Sequence, residues 1–127
     1  KISRILDDMY FYVHCYNDSQ AADCVNKYKT NCKFEVISQG RKVYFFPPAI
    51  SKGIAVERLK AYIAYEKTIV AGDSIIDLPM LQKSDFAIIP KELSSSEWYD
   101  SVMVNVCEEN IFPDYICKRV LEICKNR

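Results

Sequence analysis

The sequence predicts an α/β protein: a mainly parallel sheet with flanking helices, preceded by a smaller α+β unit. Three observations carry this. Thr68–Ala71 and Phe86–Ile89 are short, continuous apolar runs, as strands buried on both faces require. These runs alternate with segments of helical period, the pattern of a parallel sheet. Ahead of them, residues 9–46 read strand, helix, strand, strand, and Pro47-Pro48 then interrupts the chain, since neither proline can donate to a ladder. Two domains are therefore expected, 1–47 and 48–127.

Each element has its own signal. Residues 1–8 are ambiguous. From Met9 to Tyr16 the chain alternates, with Met9, Phe11, Val13 and Cys15 on one side and Tyr10, Tyr12, His14 and Tyr16 on the other. Asn17-Asp18-Ser19 offers caps for a helix to about Thr30, with Ala22, Val25 and Tyr28 on one face. Strands at 33–38 and 42–46 are joined by a turn at Gln39-Gly40. Ser51 can cap a helix to about Tyr65 whose Ala55, Val56, Leu59, Tyr62 and Ile63 face a core. Gly72 ends the strand 68–71. A short helix follows from Leu78 to Gln82, with Pro79 tolerated in its first turn. Pro90 stops the strand 86–89, residues 91–100 are helical or irregular, and 101–106 is a third strand. Pro113 opens a last helix with Phe112, Ile116, Val120 and Ile123 inward.

Composition narrows the function. Half of the 127 residues are apolar and 13% aromatic, enough apolar surface to offset ordering entropy, so a disordered chain is excluded. Lys plus Arg is 17 and Asp plus Glu is 17, which gives no electrostatic footprint for nucleic acid or an anionic membrane. No apolar run reaches the roughly 18 to 20 residues that span a bilayer. The chain begins at Lys1 without a signal-peptide apolar region and reads as a piece of a longer protein. Six cysteines, at 15, 24, 32, 107, 117 and 124, form no C-x-x-C and no cluster with the sole His14. Cys117 and Cys124 sit at helical spacing beside Val120 and Leu121, where a thiol packs as a small hydrophobe. Free thiols in a reducing cytoplasm are expected. Asn17-Asp18-Ser19 also matches a glycosylation sequon, a three-residue match close to chance that a cytosolic chain would not use.

Chemistry concentrates at Gly72-Asp73-Ser74-Ile75-Ile76-Asp77, directly after an apolar strand. In open α/β sheets ligands bind outside the carboxyl ends of the strands. Asp73 and Asp77 can converge there on a hard cation such as Mg²⁺, and the exposed amides near Ser74 suit an anion. Alone, Asp77 could equally be an N-cap and Asp73 a turn residue. Upstream, Lys52-Gly53 opens the preceding helix. A cation is unfavourable beside the helix macrodipole there, so Lys52 is either solvated or held for an anion.

Ser51-Lys52-Gly53-Ile54-Ala55-Val56-Glu57-Arg58-Leu59, followed by Thr68-Ile69-Val70-Ala71-Gly72-Asp73-Ser74-Ile75-Ile76-Asp77-Leu78-Pro79-Met80-Leu81, resembles the third and fourth motifs of the haloacid dehalogenase superfamily. The branch it is most similar to is the phosphatases with an α/β cap between their second and third motifs. Hairpin 33–46, hinge 47–51 and helix 52–65 match that order, and the resemblance covers roughly residues 9–90. It implies the C-terminal part of a cap over 1–47 and the C-terminal half of a Rossmann-like core over 48–127. It also implies a Mg²⁺-dependent phosphomonoester hydrolase working through an aspartyl phosphate. Lys52 would stabilise the nucleophile and the phosphoryl oxygens, Asp73 would ligate Mg²⁺, Asp77 would bind it directly or through water, and Ser74 would line the phosphate site. The implied partners are a small phosphorylated metabolite, a sugar phosphate as the group-level expectation, and the N-terminal half of the protein or another copy through an open sheet edge.

The sequence departs from the pattern in four places. No Asp-x-Asp-x-Thr or Val follows an apolar strand, and Asp7-Asp8 are adjacent rather than spaced by one. The nucleophile and the second-motif Ser or Thr would lie upstream, leaving this chain alone inactive. Ile76 stands where the branch usually has Asn, and Phe86–Pro90 replaces its usual Gly-rich form. A non-catalytic member that binds phosphate or a partner is the alternative. A phospho-receiver domain fits poorly, because its Lys should follow the acid at Asp73 rather than precede it. His14 and the tyrosine face read first as structural, the latter as sheet packing.

Overall fold

The computed structural model describes residues 2–6, 9–94, 101–108 and 111–125. Chain contacts divide into two units, Lys1–Ser51 and Lys52–Arg127.

The first unit is a four-stranded antiparallel sheet with one helix. Its elements are β1 (Ile2–Leu6), β2 (Tyr10–His14), α1 (Asp18–Tyr28), β3 (Glu35–Gln39) and β4 (Lys42–Phe46), and the strand order is β1-β2-β4-β3. The ambiguous start is thus a strand, with Ile5 opposite Phe11 and Ser3 opposite Val13. Asp7 and Asp8 lie outside the described residues. Asn17 caps α1, its Oδ1 accepting from the Gln20 amide at 2.9 Å. Gly40, at φ 53°, makes the left-handed turn between β3 and β4. Cys15, Ala21, Val36, Val43 and Phe45 form the core, with Phe11, Val13, Cys24, Val25 and Cys32 packed on it. The buried stripe of α1 is therefore Ala21, Cys24, Val25, one residue off the expectation, and Ala22 is exposed. On the other face Tyr10, Tyr12, Tyr44 and Phe46 make a continuous aromatic cluster, Tyr44 and Phe46 stacked at 5.9 Å. Tyr16 lies past the end of β2 and is exposed, so the alternation ends two residues early.

The second unit is α/β. It contains α2 (Lys52–Tyr62), β5 (Ile69–Ala71), a 3₁₀ turn at Ile75–Asp77, α3 (Leu78–Leu81), β6 (Phe86–Pro90), a second 3₁₀ turn at Lys91–Leu93, β7 (Met103–Cys107) and α4 (Phe112–Lys125). The sheet order is β5-β6-β7, wholly parallel. Leu81, Ala87, Ile89 and Leu93 form its core with Val70, Leu78, Val102, Val104 and Val106 around them. Asp85 sets the register where β5 and β6 begin. One carboxylate oxygen accepts from the Thr68 amide and hydroxyl, both at 2.7 Å, while the Asp85 amide donates back to the Thr68 hydroxyl at 3.1 Å. Arg119 ties α4 to β7 through the Asn105 side-chain oxygen at 2.6 Å.

Two expectations are corrected here. Of the face assigned to α2, Leu59 is 57% and Ile63 54% exposed, and Tyr62 is open to solvent. The helix stops at Tyr62, and Gly53 is its buried residue. Cys117 and Cys124 are exposed, with Leu121, because the inner stripe of α4 runs through Phe112, Ile116, Val120 and Ile123 instead. No helix of the described residues is long and apolar enough to cross a membrane.

Candidate functional site

β5 delivers the chain to the site at its carboxyl end. Gly72 continues the ladder, its amide donating to the Ile88 carbonyl at 3.1 Å. The chain then folds back into the 3₁₀ turn, laying Asp77 over Gly72 so closely that a Cβ on the glycine would stand 2.5 Å from the Asp77 Cβ. Glycine is required here for space, since no side chain fits beneath the aspartate.

Asp77 is the centre of the arrangement. It is 3% exposed. One carboxylate oxygen accepts from the amides of Asp73 and Ser74, each at 3.1 Å, and from the Ser74 hydroxyl at 2.9 Å. The other oxygen is ion-paired with the Lys52 ammonium. Burial pushes the Asp77 carboxyl up, but the bonds from Lys52 and Ser74, the Lys52 charge and the Asp73 amide together outweigh it, so the group sits below its ordinary value. Asp77 is a carboxylate with its acceptor sites filled from inside the protein.

Lys52 arrives by a helix that can come unusually close. A Cβ on Gly53 would lie 2.5 Å from the Pro79 carbonyl oxygen, so the absence of a side chain lets α2 press against α3. That approach carries Lys52, the first residue of α2, to Asp77. The anion that offsets the unfavourable position of Lys52 at a helix N-terminus is thus Asp77 itself. The Lys52 side chain remains 53% exposed.

Of the four residues singled out in the sequence, Lys52, Ser74 and Asp77 meet through their side chains, and Asp73 joins through its amide. Asp73 itself is exposed at the mouth of the loop. The hydroxyl of Ser74 is turned to Asp77. Sequence reasoning missed that role and the Gly53–Pro79 approach. The Ser74-x-x-Asp77 spacing, which is that of a capping box, could have revealed the first. His14 lies in the other unit, on β2 opposite Lys42. Among the described residues no three His, Cys, Asp or Glu side chains gather into a metal-binding group. Asp73 is the exposed hard-oxygen donor here, suited to a cation that keeps most of its waters.

Comparison with known proteins agrees with this architecture. The structure of a haloacid dehalogenase-like hydrolase from B. subtilis is similar with a TM-score of 0.67 and 16% identity, over 88% of this chain and 40% of that one. Aspergillus fumigatus trehalose-6-phosphate phosphatase matches with a TM-score of 0.47 and 18% identity, over 92% of this chain and 50% of that one. The chain thus spans half or less of the length of either structure. No curated protein matches the sequence. The family model of haloacid dehalogenase-like hydrolases matches residues 2–91, both motifs and the unit before them included, and the chain belongs to that family.

Proposed function

We propose that Lys52, Asp73 and Asp77 are one side of the active site of a Mg²⁺-dependent phosphomonoester hydrolase. The observation that carries this reading is the Lys52–Asp77 pair at the carboxyl end of β5, with the carboxylate buried and the lysine side chain half exposed. Asp73 would hold Mg²⁺, which when bound offsets charge on the phosphoryl oxygens. Asp77 keeps Lys52 extended toward the mouth of the site. Lys52 offers its free N–H bonds to the phosphoryl oxygens as negative charge builds on them. The attacking carboxylate comes from protein outside these 127 residues. Its oxygen bonds to phosphorus as the ester P–O bond breaks, and the leaving alkoxide takes up a proton from solvent. Water then attacks the same phosphorus, releasing phosphate and restoring the carboxylate.

The substrate class that suits this chemistry is a small phosphorylated metabolite, with a sugar phosphate as the first compound to try. A reducing, cytoplasmic setting suits the free thiols among the described residues. The second reading, a non-catalytic phosphate- or partner-binding protein, draws on the lack of a third acid near Asp73 and Asp77 among the described residues. Hydrolysis of an aryl phosphate by the full-length protein, with and without Mg²⁺, separates the two. Turnover that needs Mg²⁺ supports the enzyme, and inactivity of a full-length protein carrying Asp-x-Asp upstream supports the binding module.

A further inference from the structure

No residue of α4 is fully buried, and Cys117, Leu121 and Cys124 are exposed on it. The side that meets the sheet is the opposite one, where Arg119 donates to the Asn105 side-chain oxygen on β7 at 2.6 Å. Cys117, Leu121 and Cys124 follow at steps of four and three residues, which keeps them in one stripe along the helix. Asp114, Lys118, Glu122 and Lys125 are exposed too, and helical spacing sets them along one flank of that stripe. The thiols are placed symmetrically: Cys117 stands three residues before Val120, and Cys124 three residues after Leu121.

We infer that this stripe is a self-association surface, on which α4 of a second copy packs antiparallel about a two-fold axis between Val120 and Leu121. An interface of this symmetry presents the same patch from both copies. Cys117 then lies level with Cys124 of the second copy, and Cys124 with its Cys117, on either side of the paired Leu121 side chains. The like flanks also meet. Lys118 comes within one residue of the level of Glu122 of the second copy, and Lys125 within two of Asp114, about 3 Å along the axis. Along that seam the charges run acid, two bases, two acids, two bases, acid, so every base has an acid beside it. A parallel pairing fits less well. It would set Lys118 and Lys125 against Pro113 and Val120 and lay two helix dipoles side by side in the same sense. The helix has 14 residues, about 21 Å, and a face of that size falls well below the roughly 1,200 Å² of a stable interface. The association is therefore weak and concentration-dependent, and oxidation makes it permanent. Each Cys117–Cys124 pair loses two protons and two electrons as one S–S bond forms, and glutathione disulfide takes them up to become two glutathione thiols. α4 carries no residue of the Lys52–Asp77 site, so this surface stands whether or not the catalytic reading holds.

The experiment uses the full-length protein. Sedimentation velocity in reducing buffer should show a monomer and dimer in exchange, the dimer growing with concentration. Treatment with glutathione disulfide should give a covalent dimer. Its tryptic digest should join the peptide that ends at Lys118 to the peptide Val120–Lys125, because cleavage after Lys118 and Arg119 separates the two cysteines. Leu121→Glu, at a position already exposed, should leave helix content unchanged and weaken the dimer at least about tenfold by placing a charge in the seam. A protein that stays monomeric at every concentration overturns the inference. So do Cys117–Cys117 and Cys124–Cys124 linkages, which mark a parallel pair, and a dimer that Leu121→Glu leaves as tight as before. Thiols that resist a maleimide in the reduced monomer also overturn it, since another part of the protein then covers the stripe. None of these readouts depends on phosphate release, so their failure is distinct from a failure of the phosphatase assay.

Discussion

Gly53 and Pro79 approach so closely that a Cβ on Gly53 would meet the Pro79 carbonyl oxygen at 2.5 Å. The obstacle is backbone, which cannot rotate aside as a side chain would. Gly53→Ala should therefore push α2 away from α3. Helix propensity favours alanine by about 1 kcal/mol, but overpacking of this kind costs about 1 to 3 kcal/mol, so a net loss is expected. The thermal midpoint of Gly53→Ala should fall by a few degrees. A midpoint equal to or above that of the parent would mean that the approach does not set the position of Lys52.

The acid side of the stability profile should carry the signature of Asp77. Its carboxyl is held below the ordinary value. A group lowered in the folded state stabilises the fold above its unfolded pKa, about 3.9, and that contribution is lost as pH falls through the folded value. Denaturant unfolding from pH 7 to pH 2 should show stability falling below about pH 4. In Asp77→Asn the fall should be shallower. Asp85, also lowered, chiefly by the Thr68 hydroxyl and then the Thr68 amide, leaves a residual slope in that variant. Identical slopes for parent and Asp77→Asn would remove Asp77 from the account.

The fold was largely legible in the sequence, and the reasons are local. The runs Thr68–Ala71 and Phe86–Ile89 could be read because parallel strands are apolar on both faces, and β5 and β6 fall there. Asn17 before a helical segment announced α1. β1 was obscure because Ile2-Ser3-Arg4-Ile5-Leu6 has no period-two pattern, and its assignment comes from pairing with β2, a tertiary fact. The face of α2 was misassigned for a related reason. Apolar spacing reveals which residues want cover but not whether the cover lies within these 127 residues. In the site, the resemblance to the third and fourth motifs grouped Lys52, Asp73 and Asp77, and the structure pairs Lys52 with Asp77. The resemblance could not show that Asp77 would turn inward and fill its acceptor sites, since that depends on Gly72 and Gly53 making room.

The Thr68–Asp85 latch gives a prediction away from the site. Asp85→Ala leaves the Thr68 amide and hydroxyl without their acceptor at the start of β5. The position is exposed, so water replaces part of what is lost, and a cost of about 1 kcal/mol is expected. Asp85→Asn, which keeps one acceptor oxygen, should recover part of that. Chemical denaturation of the two variants measures this. An Asp85→Ala variant as stable as the parent would show that the latch orders β5 without stabilising it.

The last prediction separates what these residues supply from what they lack. In the proposed reading Asp73 holds a cation and Lys52 an anion, but neither is an attacking carboxylate, and Asp77 accepts hydrogen bonds from its own neighbours. Removing a covalent nucleophile removes the pathway and not one stabilising contact. The 127-residue chain should release no phosphate from an aryl phosphate above background, with or without Mg²⁺. The full-length protein should turn over only with Mg²⁺. In it, Asp73→Asn should lose activity by about two orders of magnitude or more, in line with losing a charge-stabilising group at the reacting centre. Lys52→Ala should lower kcat to a similar degree, and because it also strips the Asp77 carboxylate of its partner, it should lower the thermal midpoint as well. Asp73→Asn, exposed and among the described residues bonded through its main chain, should leave that midpoint within about a degree of the parent, since surface substitutions cost little. A purified 127-residue chain with robust Mg²⁺-dependent turnover would place a nucleophile within it. An Asp73→Asn protein with full activity would take the cation away from Asp73.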